Sequence, residues 1–204
     1  MFALVDKSDN SITKMLSGSR GITIGDTQYP RSIYTLWSEA ERNAIGIYAV
    51  EIDESKLKDE EWYHNTNVTY SFDGSKVKGV YGDATAKAHA DVLFTQEDED
   101  NGLGTKDDVK VPGLKTIFIK QVKAETAQEL QKTDWYVVRK ADTDEAIPSA
   151  VATHRAAVRS KQADMETAIT NASDTPALET LYTYTKQDNG SVTRPLGEIP
   201  IKNF

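Results

Sequence analysis

Residues Thr133–Arg159 read TDWYVVRKADTDEAIPSAVATHRAAVR. Val137, Val138 and Ala141 continue an apolar face begun by Ala127 and Leu130, so this stretch opens on the end of a helix predicted over 124–141. Pro148 marks the entry to a second helix, predicted over 149–172, where a missing N–H falls among amides that lack an intrahelical partner. Val151, Val158 and Met165 recur at seven-residue spacing and give the second helix an apolar seam. A helical hairpin thus dominates the C-terminal half. A short third helix is predicted from Asp174-Thr-Pro176 through Tyr184, carrying Leu178, Leu181 and Tyr182.

Upstream the pattern changes. MFALVD and SITKML flank the turn-rich KSDNS, and Phe2 and Leu4 set against Ile12 and Leu16 suit a hairpin with one buried face. GITIGDTQY offers a second hairpin turning at Gly25. TLWSEAERNA, residues 35–44, has helical composition and stops at Gly46. IGIYAVEID alternates with its more apolar set, Tyr48, Val50 and Ile52, on the even positions. VTYSF and KVKGVY surround Asp73-Gly74, a strong hairpin signal. Farther on, TQEDEDNGLGTKDD reads as an exposed acidic loop, and LKTIFIKQV reads as a strand with Ile117 and Ile119 on one face.

The chain is therefore α+β: N-terminal antiparallel β hairpins with a short helix, followed by a C-terminal helical hairpin and a short third helix. Its expected organisation is a β-rich domain at 1–95, an acidic linker at 96–112, a strand plus helical region at 113–186, and an extended Gly- and Pro-rich arm at 187–204 with one strand near Ser191–Arg194.

Composition excludes several classes. With 204 residues and no cysteine, the chain can bury a core without staples and has neither disulfides nor a thiolate nucleophile. A formal charge of −8 argues against nucleic acid, whose phosphates demand a basic surface. MFALVDKSDN carries acid where a signal peptide needs a basic region, and no apolar run is long enough to span a bilayer, so folding in a cytoplasm without membrane insertion is expected. No internal repeat of the kind a fibre shaft needs is present.

Chemistry-bearing patterns are weak. Glu97, Glu99, Asn101, Gly102 and Asp108 align poorly to a calcium loop, because the early positions want Asp and the last wants Glu; a solvated loop is the better reading. His64, His89 and His154 lie far apart without metal-ligand spacing, and His154, beside Arg155, reads as a surface or interface position. There is no GxSxG elbow, and Gly18, Gly21 and Gly25 lack a phosphate-loop context. Among 32 acidic residues, carboxylate pairs for glycoside cleavage carry no information. No catalytic, cofactor-binding or metal-ligating residue is assigned.

What remains is Trp135, Tyr136, Arg139, Arg155 and Arg159. On helices Trp135 and Arg139 share a face, as do Arg155 and Arg159, so aromatic and guanidinium groups of the kind that anchor interfaces are presented together. The alternative is that Trp135 plugs the domain's own core and the arginines pair with Asp142, Asp144 or Glu145.

MFALVDKSDNSITK, YPRSI and IGIYAVEID resemble, in order and spacing, the N-terminal region of tailed-bacteriophage tail-fibre-associated proteins. TDWYVVRK, IPSAV and HRAAVR are similar to the helical region of tail-fibre assembly and tail accessory proteins. The resemblance covers about half the chain and leaves 64–112 unmatched. It implies a non-enzymatic structural or adaptor role at a baseplate or fibre attachment, with tail, baseplate or fibre proteins or further copies of the chain as partners. Localisation in the virion tail, after synthesis in the host cytoplasm, goes with that role. The same group includes assembly chaperones that leave the finished particle, which is the alternative; a small polysaccharide-active enzyme is the third class.

Overall fold

A computed structural model describes residues 1–204. The chain is mixed α and β and divides into two compact units, 1–85 and 86–204, each with its own core. The boundary lies ahead of the acidic segment, so residues 96–112 belong inside the second unit.

In the first unit, β1 (Phe2–Val5) and β2 (Ile12–Leu16) form the opening hairpin. The pairing slips between Leu4 and Val5, where Leu4 faces Lys14 but Val5 faces Ile12. That bulge corrects the expected face: Phe2, Leu4 and Leu16 share one cluster, whereas Ile12 packs with Ala3 and Val5 on the opposite side. β3 (Ile22–Ile24) and β4 (Thr27–Tyr29) make the second hairpin, with Gly25 at φ +57°. Two short helices follow, α1 (Ile33–Leu36) and α2 (Glu39–Ala44), where one had been read. Ser38 and Glu41 form a reciprocal capping box that starts α2 anew after Trp37.

β5 (Ile47–Asp53), β6 (Tyr63–His64), β7 (Val68–Phe72) and β8 (Val77–Tyr81) come next. β7 and β8 pair across Asp73-Gly74, and the Asp73 carboxylate accepts both the Ser75 and Lys76 amides. The main sheet runs β2-β1-β5-β8-β7, with β5 and β8 parallel, Val50 opposite Val77 and Ile52 opposite Gly79. Period-two alternation sends Ile47 to one face, with Leu16, Ile22, Ile33 and Tyr34, and Tyr48 to the other, with Ala3, Val5 and Val77.

The second unit opens with β10 (Val92–Leu93; the intervening β9 is Thr85–Ala86), α3 (Gln96–Asp100) and β11 (Val109–Val111). The acidic stretch is therefore partly helical, a correction. Thr95 and Asp98 cap α3 reciprocally, and Lys110 reaches the Asp98 carboxylate at 2.6 Å, so one acid serves as helix start and ion-pair partner. Those hydrogen bonds hold the Asp98 carboxyl down at about 2.

α4 (Leu114–Gln131) overturns the expected strand at LKTIFIKQV. Leu114, Phe118, Val122 and Thr126 recur every fourth residue and are buried, while Ile117 is exposed. Asp91 caps this helix from a distance: its carboxylate accepts the Gly113 amide at 2.7 Å and the Thr116 hydroxyl at 2.8 Å. α5 (Asp134–Thr143) is separated from α4 at Lys132–Thr133, so the single helix expected over 124–141 is two. α6 (Ser149–Asn171) runs back antiparallel along α4, with Lys115 reaching the Thr170 carbonyl at one end and Glu129 meeting His154 at the other. Val151, Val158, Met165 and Ile169 bury its seam. α7 (Thr175–Tyr182) starts on Asp174, whose carboxylate accepts the Ala177 amide, and buries Leu178. β12 (Thr185–Lys186) and β13 (Val192–Thr193) form a small hairpin. Beyond it Leu196 and Ile199 turn inward, so the expected arm is partly docked on its own unit.

Candidate functional site

The corner joining α4, α5 and α6 holds the second unit's most concentrated polar chemistry. Arg155 is buried, and its Nη1 donates to the Leu130 carbonyl at 2.7 Å and the Thr133 hydroxyl at 2.8 Å while meeting the Asp134 carboxylate at 2.9 Å. These acceptors lie at the end of α4, in the break, and at the start of α5. A guanidinium suits this position because its charged Nη1 meets one carbonyl, one hydroxyl and one carboxylate gathered around the helix break. Arg155 therefore fixes the direction in which α5 leaves the corner.

One turn away, the buried Glu129 carboxylate faces His154 Nε2 at 3.0 Å, accepts the Lys202 backbone amide at 3.0 Å and is paired with Lys132. Burial pushes the Glu129 carboxyl upward, but the hydrogen bonds from Lys132, Lys202 and His154 outweigh it and hold it below the ordinary glutamate range. His154 is thus an interior residue. This corrects the surface reading, and the physical cause is the buried carboxylate on the facing helix.

α5 buries no residue. Trp135 is 52% exposed, Val138 66% and Val137 40%, on a helix of ten residues. The Trp135 and Tyr136 rings lie against each other with centroids 3.8 Å apart and planes tilted by 31°, and the Arg139 guanidinium lies 4.8 Å from the Trp135 ring centroid and 5.3 Å from that of Tyr136. Glu145, just beyond α5, pairs with Arg139 at 3.2 Å. The aromatic rings are therefore held in place by each other and by the guanidinium, with Trp135 half in solvent.

Of the five residues singled out, three come together at the surface: Trp135, Tyr136 and Arg139. Trp135 does not plug the core. Arg155 and Arg159 do not present a joint guanidinium face, since Arg155 is drawn inward by the Leu130 carbonyl and the Thr133 hydroxyl whereas Arg159 is exposed. Glu129 and Thr133 belong to the corner and were not singled out, and His154, read as a surface or interface position, joins them inside it. Their signal was the coincidence of polar residues with the apolar seams of α4 and α6, where a buried charge requires a partner on the facing helix.

Beside the corner, α4, the residues Tyr184 and Arg194 that flank the β12–β13 hairpin, and the segment carrying Glu198, Ile199 and Ile201 enclose a groove of about 590 Å³. Arg194 stacks between Tyr182 and Tyr184, at 5.1 and 5.3 Å, and pairs with Glu198 at 2.8 Å. The hydrogen bond from Tyr184 to Glu198, 2.6 Å, pushes the phenol upward. No group of three or more His, Asp or Glu side chains converges as a metal site, and no helix is long and apolar enough to cross a membrane. Comparison with protein-family models, curated proteins and solved structures finds no match.

Proposed function

We propose that the protein is a non-enzymatic structural or adaptor component of a phage tail, at the baseplate or a fibre attachment, acting through protein–protein contacts. The observation that supports recognition as its mode of action is α5. An entire helix buries no residue, yet carries a contacting Trp–Tyr–Arg group and two exposed valines. Large aromatic residues and arginine dominate interface energetics when they enter a dry pocket on a partner. Here their geometry is already organised: Arg155 fixes the helix and Arg139 fixes the rings, so little side-chain freedom is lost on docking. The resemblance of the N-terminal hairpin and of the IPSAV–HRAAVR region to tail-fibre-associated proteins supplies the biological setting.

The test is a phage carrying Trp135→Ala with Arg139→Ala. Both side chains reach the surface, so the soluble protein should keep its circular dichroism spectrum and melting temperature, while its incorporation into particles falls at least tenfold. Normal incorporation with unchanged stability would refute α5 as the docking element.

A further inference from the structure

We propose that the cavity between the edge strand β2 and strand β3 is a binding site for a small phosphate monoester with a hydroxylated body, such as a sugar phosphate. The inference stands apart from α5 and from the phage-tail reading.

The sequence sets this place apart by charge. The chain carries 32 acidic residues, yet none lies between Ser11 and Gly25. Within that stretch the residues from Lys14 to Thr23, together with Tyr34, line a cavity of about 590 Å³ that no aspartate or glutamate enters. Small-molecule sites span about 300–1,000 Å³.

Its cations are uncommitted. In the same unit Lys56, Lys76 and Lys78 each meet a carboxylate. Lys14 and Arg20 meet none, so the cavity holds two positive charges without a counter-charge from the protein. Neutral donors stand beside them. The Ser17 and Ser19 hydroxyls lie 2.6 Å apart, and whichever donates, the other keeps its hydrogen to give. The Ser19 amide is taken up by Ser17 Oγ at 3.3 Å, whereas the amides of Gly18, Arg20 and Gly21 make no hydrogen bond within the protein. Tyr34 is only 7% exposed and its hydroxyl has no partner. Burial pushes that phenol upward, so it stays protonated and can donate at neutral pH.

The turn that carries these groups is closely seated. A Cβ on Gly18, at φ +73°, would come 3.3 Å from the Phe2 ring, and one on Gly21 would come 2.5 Å from the Tyr29 carbonyl oxygen. The two glycines let the turn lie directly on its neighbours, which holds the donors in place before a ligand arrives. No strand-to-helix phosphate loop is involved; the donors come from a turn between two strands.

Charge and donor count choose the ligand. A carboxylate brings two oxygens and one charge. A phosphate monoester brings three terminal oxygens and a charge of about −1.5 to −2 at neutral pH, which matches two cations and a surplus of N–H and O–H donors. Phosphate alone would fill little of the cavity, and Thr23 adds a hydroxyl for the remainder of the ligand.

The test is a titration of the ¹⁵N-labelled full chain with inorganic phosphate, glucose 6-phosphate or glucose, each at constant ionic strength up to about 10 mM. The amides of Gly18, Arg20 and Gly21 should shift saturably with both phosphates, more tightly with the ester, and not with glucose. Lys14→Gln combined with Arg20→Gln changes two exposed side chains; it should leave the rest of the spectrum in place and weaken binding at least about tenfold. Absence of saturable shifts, shifts spread evenly over the surface, unchanged affinity in the double variant, or an ester that binds no tighter than inorganic phosphate would each overturn the proposal.

Discussion

Replacing Arg155 by Met should loosen the corner of the second unit while leaving its packing volume nearly intact, because the methionine side chain follows the path of the arginine stem. Three contacts are lost. Asp134 is 55% exposed, so its ion pair falls in the surface range of about 0–1 kcal/mol. The hydrogen bonds to Leu130 and Thr133 are charge-assisted, the first partly buried and the second buried, about 1.5–3 kcal/mol each before compensation. Two effects reduce that total. The Thr133 amide and hydroxyl still donate to the Leu130 carbonyl, so it is not orphaned, and the desolvation of a buried cation is relieved. The net loss should be about 2–3 kcal/mol, read from urea unfolding followed by circular dichroism. Since α5 buries nothing, its direction depends on this residue, and its amides should exchange with solvent about 30- to 150-fold faster, the same energy expressed as an opening equilibrium. A loss below about 0.5 kcal/mol, or unchanged exchange in α5, would refute the role assigned to Arg155.

Three further outcomes follow from the same reasoning. Gly46→Ala places a side chain at φ +81° with its Cβ 2.6 Å from the Val5 carbonyl oxygen, and should destabilise the first unit by about 2 kcal/mol or more in chemical unfolding. Glu129 has a folded-state pKa below its unfolded value, so its contribution is present above the ordinary glutamate range and is lost as pH falls through the folded value; Glu129→Gln should be less stable than the parent at neutral pH, with the gap narrowing on acidification. Asp98 should titrate at about 2 by carboxyl NMR and move toward the ordinary aspartate range when Lys110 is changed to Met.

The hairpins were legible in the sequence because their signals are local: Asp73-Gly74 and Gly25 mark turns, and alternation marks the strands around them. The parallel pairing of β5 with β8 was not, since it depends on how a crossover of more than twenty residues returns to the sheet. LKTIFIKQV was misread because Ile117 and Ile119 suggest period two, whereas Leu114, Phe118 and Val122 carry the buried four-residue repeat. The helix also starts on Asp91, a cap twenty-two residues away in sequence that no local window contains. At the site, Trp135, Tyr136 and Arg139 could be grouped from helical spacing. Arg155 has the same composition signal, and only the acceptors gathered beside it at the α4–α5 break, Leu130, Thr133 and Asp134, decide that it turns inward.

The most direct test of the central claim is quantitative mass spectrometry of purified infectious particles alongside the soluble lysate of infected cells. A structural or adaptor component should be present in particles at a fixed whole-number ratio to known tail proteins. Abundance in the lysate with absence from particles would contradict the account and favour an assembly chaperone.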